Sequence, residues 1–393
     1  MVRLIIIFLL TAVLIGGIVF VFNKNFKENF SFKTEESKKT SFYTFKFEPL
    51  KVSSELQSYP NYTENKKLVL IPLAKIKQDA IQTDIELGGC KNCGSQYQGS
   101  NSPEAAPDFK SIAFIDKNNL LGFITSDGKT KTLLPENFKV EYISGWSPDS
   151  RRLVVYVSSN TSDSLYSGMG GPPDKPYIFD QEKLLGGFYL IDIEKGEGKH
   201  LFPLKGFVTW VDSRTILATN NEPLYTQFFI FDVDKFEADA KTLLGLFDNY
   251  FGKDFSFSAD GKKWVVGLGN TGDSGKQSYS EIVIANYPET KGIKIAQGTW
   301  AEYQLPIISP NGNRVIYINH TGSSDWNLVI WKDGQSKMIS GKIHKKLWVG
   351  NDQVLYETGE YDEQKKRNKF KTYLYDVASE KSELLYETSP DNN

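Results

Sequence analysis

Apolar residues follow two different patterns along this chain. Residues 4–22, LIIIFLLTAVLIGGIVFVF, form a continuous run of nineteen residues without a charge. After residue 43, short apolar runs alternate with polar segments rich in turn-forming residues, as in GWSPDSRRLVVYV at residues 145–157. The first pattern predicts a helix that spans a membrane, and the second predicts β-strands joined by tight turns.

The stretch at residues 145–157 contains one copy of a repeat. Five copies start 64, 47, 51 and 40 residues apart, and repetition at such a period is typical of a β-propeller or a solenoid. Each copy joins two strands through a turn. In Ser309-Pro310-Asn311-Gly312, proline and glycine occupy positions that a type I turn prefers. The copies are WSPDSRRLVVY (146–156), WVDSRTILAT (210–219), FSADGKKWVVG (257–267), ISPNGNRVIYI (308–318) and WVGNDQVLYET (348–358).

A second hairpin follows each copy, and an earlier one is preceded by the strand SIAFID. Two hairpins make four strands, and a four-stranded sheet repeated around an axis is the blade of a propeller. The sequence therefore predicts an all-β, six-bladed β-propeller, and regular repeats argue against a two-sheet sandwich. The second hairpins lie at residues 120–134, 187–202, 227–244, 280–296, 327–340 and 371–387.

The first predicted blade is irregular. KLVLIPL at residues 67–73 is the natural donor of its first strand, with a Gly/Ser-rich loop inserted before SIAFID. Alternatively, residues 43–73 begin a seventh blade or cover an edge. The predicted domains are a transmembrane signal anchor (1–23), a juxtamembrane linker (24–42), N-terminal strands with the loop (43–109), the propeller (110–388) and a tail (389–393).

The apolar run at residues 4–22 is expected to anchor the protein in a membrane as a single-pass helix. A cleavable signal peptide would have a shorter apolar core and small residues at its cleavage site, whereas IVFVFNKN is bulky. The positive-inside rule argues weakly for a cytoplasmic C-terminal domain, because Lys24, Lys27 and Lys33 follow the helix. We nevertheless expect the large domain outside the cytoplasm, because an anchor this near the amino terminus usually acts as an export signal.

The repeat W/F/I-S-P/A-D/N-G/S, followed by an apolar strand and a YLIDI-like strand, resembles the TolB-like propeller repeat. The same repeat occurs in the propeller portion of prolyl-oligopeptidase and dipeptidyl-peptidase-IV type enzymes. Copies beginning at residues 147, 258 and 309 fit well, and the other two are degenerate. The resemblance covers about residues 110–388 and implies the fold. It says little about activity, because the motif builds turns and not a site.

Nothing in the sequence identifies catalytic residues. In those peptidases a C-terminal hydrolase domain carries the nucleophile, but no G-x-S-x-G motif occurs in this sequence. His200, His320 and His344 have no His or Cys neighbour at zinc-ligand spacing, and His200 is expected on an outer strand as a surface or packed residue and not as a ligand. We therefore predict no catalytic residue, no metal and no cofactor. The net charge of -2 gives no case for a nucleic-acid partner.

The two cysteines form a single CxxC pair, Cys90 and Cys93. One pair supplies half of a structural zinc set, and no thioredoxin-like pattern surrounds it. In an exported domain a local disulfide is the simplest interpretation, while redox or metal use remain alternatives.

The long connections of the predicted blades fall on one face, and irregular loops on a rigid scaffold are where binding usually resides. Tyrosine and tryptophan are favoured recognition residues. The candidate binding residues on this face are Tyr166, Tyr177, Phe179, Trp300, Tyr303, His320, Trp326, His344 and Tyr361.

Two functions follow as hypotheses. The first is a membrane-anchored, non-catalytic propeller that binds a protein, a peptide or a glycan on this face. The alternative is a hydrolase or lyase of peptides or glycans with its site in the propeller channel. Buried carboxylates clustered with histidine at the channel mouth would favour the enzyme, and exposed aromatic loops without such a cluster would favour the binding domain.

Overall fold

A computed structural model describes most of residues 44–387, all within one compact unit that spans residues 43–393. The predicted membrane segment and the CxxC pair lie outside the described residues. Within the described part of the chain, no helix has the length and apolar character needed to cross a membrane. The described ranges are 44–50, 57–62, 67–73, 80–88, 103–124, 130–132, 134, 138–157, 186–202, 206–221, 226–235, 237–239, 254–270, 279–289, 292–299, 303–320, 326–362 and 367–387.

The fold is an all-β propeller, as predicted, but it has seven blades and not six. Blade 1 comprises β2 (Ser58–Tyr62), β3 (Lys67–Pro72) and β4 (Ile81–Glu86). Blade 2 comprises β5 (Glu104–Ala105), β6 (Ile112–Ile115), β7 (Leu121–Ile124) and β8 (Thr130–Thr132). Blade 3 comprises β9 (Val140–Trp146), β10 (Arg152–Val157), β11 (Gly187–Asp192) and β12 (Glu197–Phe202), with β1 (Thr44–Lys46) added outside β12.

The other four blades repeat the same order of four antiparallel strands. Blade 4 comprises β13 (Gly206–Trp210), β14 (Thr215–Asn221), β15 (Thr226–Asp232) and β16 (Glu237–Asp239). Blade 5 comprises β17 (Asp254–Phe257), β18 (Lys263–Asn270), β19 (Tyr279–Asn286) and β20 (Ile293–Thr299). Blade 6 comprises β21 (Tyr303–Ile308), β22 (Arg314–His320), β23 (Trp326–Lys332) and β24 (Gln335–Ile339). Blade 7 comprises β25 (Ile343–Val349), β26 (Gln353–Asp362), β27 (Arg367–Asp376) and β28 (Lys381–Glu387).

The prediction of six blades was wrong because the N-terminal strands form a sheet of their own. The expected donor strand is β3, which pairs with β2 and β4. Blade 2 begins instead with the two-residue β5, which leads into Ala106-Pro107-Asp108-Phe109. The Phe109 N–H donates to the Ala106 carbonyl at 2.8 Å, as the Ser150 N–H does to Ser147 at 2.9 Å. This turn is a further copy of the repeat, which alanine and phenylalanine disguise in the sequence.

Serine closes the repeated turn and also starts the second strand. The Ser258 hydroxyl donates to Asp260 Oδ1 at 2.7 Å and accepts the Lys263 N–H at 3.0 Å. Gly261 adopts φ +68°, a left-handed conformation that glycine reaches without steric cost, and its N–H donates to the Ser258 carbonyl at 2.9 Å. The turn beginning at Ser309 repeats this geometry with Gly312 at φ +71°. The predicted hairpin turns are therefore confirmed.

The tryptophan that begins several copies ties each blade to the preceding one. Trp210 Nε1 donates to the Gly145 carbonyl at 3.1 Å, and Trp348 Nε1 donates to the Ile307 carbonyl at 3.0 Å. Each ring is almost fully buried, so the donor has a partner where the ring leaves water. These residues therefore fix the spacing between successive inner strands.

Blade 1 is placed by its contacts with blade 2. The Ser58 N–H donates to the Phe109 carbonyl at 3.2 Å, so β2 begins beside the first turn of blade 2. The chain after β4 meets the far end of β6, where the Gly88 N–H donates to the Ile115 carbonyl at 2.9 Å. The strands β2, β3 and β4 thus hold the second, third and fourth places of their blade. No described strand fills its innermost place.

Alternating strand direction divides the connections between two faces. The turns between first and second strands and between third and fourth strands form one face, the turn face. The remaining connections form the opposite face, the loop face. The segment from residue 358 to residue 371 is mostly a ladder, because β26 and β27 stay paired as far as Asp362 and Arg367.

The strand β1 covers the outer edge of blade 3. It pairs antiparallel with β12, and Phe45 lies opposite Gly198. The Phe45 ring packs against Phe138 with centroids 4.9 Å apart, and a Cβ on Gly198 would lie only 2.0 Å from it. Gly198 therefore provides the space that Phe45 fills, and the free hydrogen-bonding edge of the blade is covered at this point.

Candidate functional site

Three of the predicted binding residues have described side chains, and all three lie at the loop face of blades 6 and 7. Tyr303 begins β21 and Tyr361 lies near the end of β26. The predicted residues outside the described ranges are Tyr166, Tyr177, Phe179 and Trp300.

His320 and Trp326 face each other across the ends of β22 and β23. Their rings meet edge to face with centroids 5.1 Å apart and planes at 74°. Trp326 remains 40% exposed. A large ring on a short strand connection is thus held in one orientation while much of its surface stays in water.

A second aromatic pair lies on the neighbouring blade. The rings of His344 and Phe370 meet edge to face with centroids 5.4 Å apart. His344 lies over Gly359, where an added Cβ would lie 2.2 Å from His344 Nε2. Desolvation lowers the pKa of His344. The negative charge of Glu357 opposes this shift, and the positive charges of Lys342 and Lys345 add to it. The imidazole is therefore neutral at neutral pH and keeps both a donor and an acceptor nitrogen.

Lys342 joins the two pairs. Its backbone forms a parallel bridge with Trp326, and its carbonyl accepts the Gly359 N–H at 2.9 Å beneath His344. Lys342 itself is exposed. The rim patch therefore spans both blades and consists of His320, Trp326, Lys342, His344 and Phe370.

The residue after His344 faces the junction between blade 7 and blade 1. Lys345 lies opposite Glu357 in the β25–β26 pair, and Glu357 lies opposite Thr372 in the next pair. From blade 1, Asn61 Nδ2 donates to Glu357 Oε2 at 2.9 Å and to Thr372 Oγ1 at 3.2 Å. Asn61, Glu357 and Thr372 are all buried, so this polar contact closes the ring.

A carboxyl from blade 2 joins this group. Glu104 lies on the innermost strand β5, and Lys345 lies on the innermost strand β25. Desolvation raises the pKa of Glu104 to about 7, although the attraction of Lys345 opposes the rise. Desolvation also lowers the pKa of Lys345, against the attraction of Glu357 and Glu104. We call Asn61, Glu104, Lys345, Glu357 and Thr372 the seam cluster.

The sequence did not single out the seam cluster, because its members come from three blades. Asn61 and Glu357 are 296 residues apart, and no local spacing links them. The cluster provides a carboxyl whose pKa burial raises to about 7 and a second, buried carboxylate, and both attract the ammonium group of Lys345. Among the described residues, no group of three His, Cys, Asp or Glu side chains could hold a metal ion.

His200 packs in blade 3, as expected of an outer strand. It is 5% exposed and meets the Tyr189 ring at 4.9 Å. Its Nε2 has no hydrogen-bond partner among the described residues. Burial lowers the pKa of His200 to about 4, partly offset by a hydrogen bond to the Gly186 backbone. It is therefore a neutral core residue, remote from the rim patch.

Comparison with known proteins supports the fold. No protein-family model matches the chain, and no curated protein matches it. Acylaminoacyl peptidase from Pyrococcus horikoshii is 18% identical, with 88% of this chain and 52% of the peptidase covered and a TM-score of 0.52. This chain thus spans about half the length of that enzyme. TolB from Acinetobacter baumannii is 12% identical, with 83% and 77% covered and a TM-score of 0.44.

The likeness to the peptidase confirms, at the level of the fold, the resemblance to peptidase propellers that the repeat implied. At such low identity, similarity establishes the fold alone, since one fold carries many functions.

Proposed function

We propose that this protein is a membrane-tethered propeller, exposed outside the cytoplasm, that binds a protein, a peptide or a glycan through the rim patch without chemical conversion. One observation carries the proposal: Trp326 is 40% exposed yet fixed edge to face by His320 at 5.1 Å. Tryptophan contributes strongly to binding because it buries a large area with few rotatable bonds. A ring that is already oriented also loses less conformational entropy on binding.

The flanking groups suit a ligand with both apolar and polar surface. Lys342 is an exposed cation between the two aromatic pairs. The lowered pKa of His344 leaves an uncharged ring that can donate or accept one hydrogen bond. The rim patch thus combines apolar area with a few oriented polar groups, as binding sites commonly do.

Site-specific crosslinking tests this role. A photo-reactive phenylalanine derivative replaces Trp326 in the full-length protein, and irradiation of intact cells captures whatever lies within reach. The control carries the same derivative at Met338, which is 54% exposed on the outer strand of blade 6. We expect a discrete adduct from position 326, and Lys342→Glu should lower its yield. Identical adducts at both positions, or none at 326, would contradict a binding role.

Location is tested separately. The apolar run at residues 4–22 supports a membrane tether, and export is the proposed orientation. Protease added outside the inner membrane should digest the propeller of the tagged protein in cells with a permeabilised outer envelope. Protection until the inner membrane is breached would place the domain in the cytoplasm.

A second candidate function is supported by the seam cluster. A general base works best when its pKa lies near the working pH, and the pKa of Glu104 is raised to about 7. The candidate is a hydrolase or lyase of peptides or glycans with Glu104 as base. Its test is turnover of labelled casein and of a panel of p-nitrophenyl glycosides by the wild type and Glu104→Gln. Activity that persists in Glu104→Gln, or no activity in either protein, counts against this function.

A further inference from the structure

A groove opens on the turn face between blades 5 and 6, on the opposite face from the rim patch. It encloses about 490 Å³, within the range of about 300–1,000 Å³ that is typical of ligand sites. One wall is the connection between β19 and β20, and the other is formed by the two turns of blade 6. Apolar side chains line it: Ile284 is buried, Trp331 packs on the core shared by blades 5 and 6, and Ile293 is 65% exposed.

Each wall of the groove carries an acidic side chain. Glu289 and Asp333 are exposed members of the lining, and the carboxylate of neither has a hydrogen-bond or ion-pair partner among the described residues. The described lining contains one cation, Lys263, whose Nζ already donates to the Gly312 carbonyl at 3.1 Å and to Asn313 Oδ1 at 3.2 Å. Lys332 points to the other side of β23 from Trp331, because neighbours in a strand alternate.

The backbone around the groove is held firmly. Trp264 Nε1 donates to the Glu289 carbonyl at 3.1 Å, which fixes one acidic position. A Cβ on Gly292 would lie 2.2 Å from the Ile284 carbonyl oxygen, so only glycine allows the chain to turn this closely. On the other side, Asp333 and Gly334 form a two-residue hairpin turn with φ +50° and +81°. The two unpaired carboxylates therefore sit on tight, preformed turns.

We propose that this groove binds an extended segment of a partner protein that carries alternating aliphatic and basic residues. The aliphatic side chains contact Ile293 and the face of Trp331, and the basic side chains pair with Glu289 and Asp333. Charge complementarity selects this partner, because the described lining offers two free carboxylates and a lysine that is already bonded. An arginine beside Trp331 gains a cation–π contact as well. This site is independent of the rim patch.

Fluorescence anisotropy with the full-length protein in detergent tests the proposal. The probe is fluorescein-labelled Leu-Arg-Leu-Arg-amide, and its charge-reversed counterpart is Leu-Glu-Leu-Glu-amide. The double variant Glu289→Gln/Asp333→Asn should raise Kd for the basic peptide by about three- to thirtyfold, since each exposed ion pair contributes modestly. Ile293→Ser should also weaken binding, and added salt should weaken it further.

Glu383→Gln is the matched control, because Glu383 is an exposed carboxylate on the outer strand of blade 7. It should leave Kd unchanged. The proposal fails if the double variant binds as the wild type does, if the acidic peptide binds equally well, or if the basic peptide does not bind below millimolar concentration. It also fails if sedimentation shows a dimer that Ile293→Ser dissociates, because the occupant would then be a second copy of this chain.

Discussion

Replacement of His200 by phenylalanine should remove most of the acid sensitivity of blade 3. His200 is 5% exposed, and burial lowers its pKa from 6.5 to about 4. Between these two values the unfolded chain binds a proton that the folded chain does not. The contribution of His200 is therefore intact above pH 6.5 and is lost as the pH falls towards 4.

The size of the effect follows from the two pKa values. Linkage gives a loss in the free energy of unfolding, relative to pH 8, of about 0.8 kcal/mol at pH 6, about 2 kcal/mol at pH 5 and about 3 kcal/mol at pH 4. Phenylalanine keeps the contact with Tyr189, whose ring lies 4.9 Å from the imidazole. The variant loses the hydrogen bond to the Gly186 backbone at every pH, a constant offset of about 1 kcal/mol.

Urea unfolding followed by tryptophan fluorescence at several pH values between 8 and 4 measures the pH dependence of the free energy of unfolding for the wild type and for His200→Phe. Gly198→Ala is the matched control. A Cβ there would collide with Phe45 at 2.0 Å, so the same site is weakened while the titrating group remains. Its stability curve should run below that of the wild type and parallel to it. If His200→Phe keeps the wild-type slope between pH 7 and 5, the assignment to His200 is wrong.

Three further variants test the seam and the turns. Asn61→Ala should lower the free energy of unfolding by about 2 kcal/mol, because it removes the donor at 2.9 Å from the buried Glu357 carboxylate; urea unfolding at pH 7 that shows no loss would contradict the closing contact. The raised pKa of Glu104 means that its stabilising contribution is present below pH 4.5 and is lost as the pH rises to about 7. Glu104→Gln should therefore gain stability over the wild type between pH 5 and pH 8 in thermal melts, and an equal difference at both pH values would exclude the shift. Gly312→Val should cost at least ~1–2 kcal/mol, because Gly312 adopts φ +71°; unchanged melting would count against the turn geometry.

The sequence was sufficient for the repeated unit because its determinants are local. Ser258 bonds to Asp260 and to the Lys263 N–H within five residues of itself. Such a turn can be recognised in a single short window, and its recurrence predicted the propeller. Dependence on local residues also explains why the copy at Ala106–Phe109 was missed. Phe109 adopts φ +58° where glycine is usual, so the residue type that marks the turn is absent there.

The number of blades and the seam cluster could not be predicted from short windows of the sequence. Blade 1 contains three described strands, and its position depends on contacts such as that of Ser58 with Phe109. Asn61 contacts Glu357 only in the folded ring, where the last blade lies beside the first. His320, Trp326 and His344 all lie at the loop face, because strand order alone decides which connections share a side.

The part of the rim patch on blade 7 lies on a blade that is fixed from both sides. Towards blade 6, Trp348 is bonded to the Ile307 carbonyl at 3.0 Å. Towards blade 1, Glu357 is bonded to Asn61 at 2.9 Å, within an apolar contact between the two blades. His344 precedes Lys345 of the seam cluster, so the rim patch and the seam cluster share the strand β25. Since binding to a fixed surface costs less conformational entropy, closing the ring with side chains would also favour the binding proposed for the rim patch.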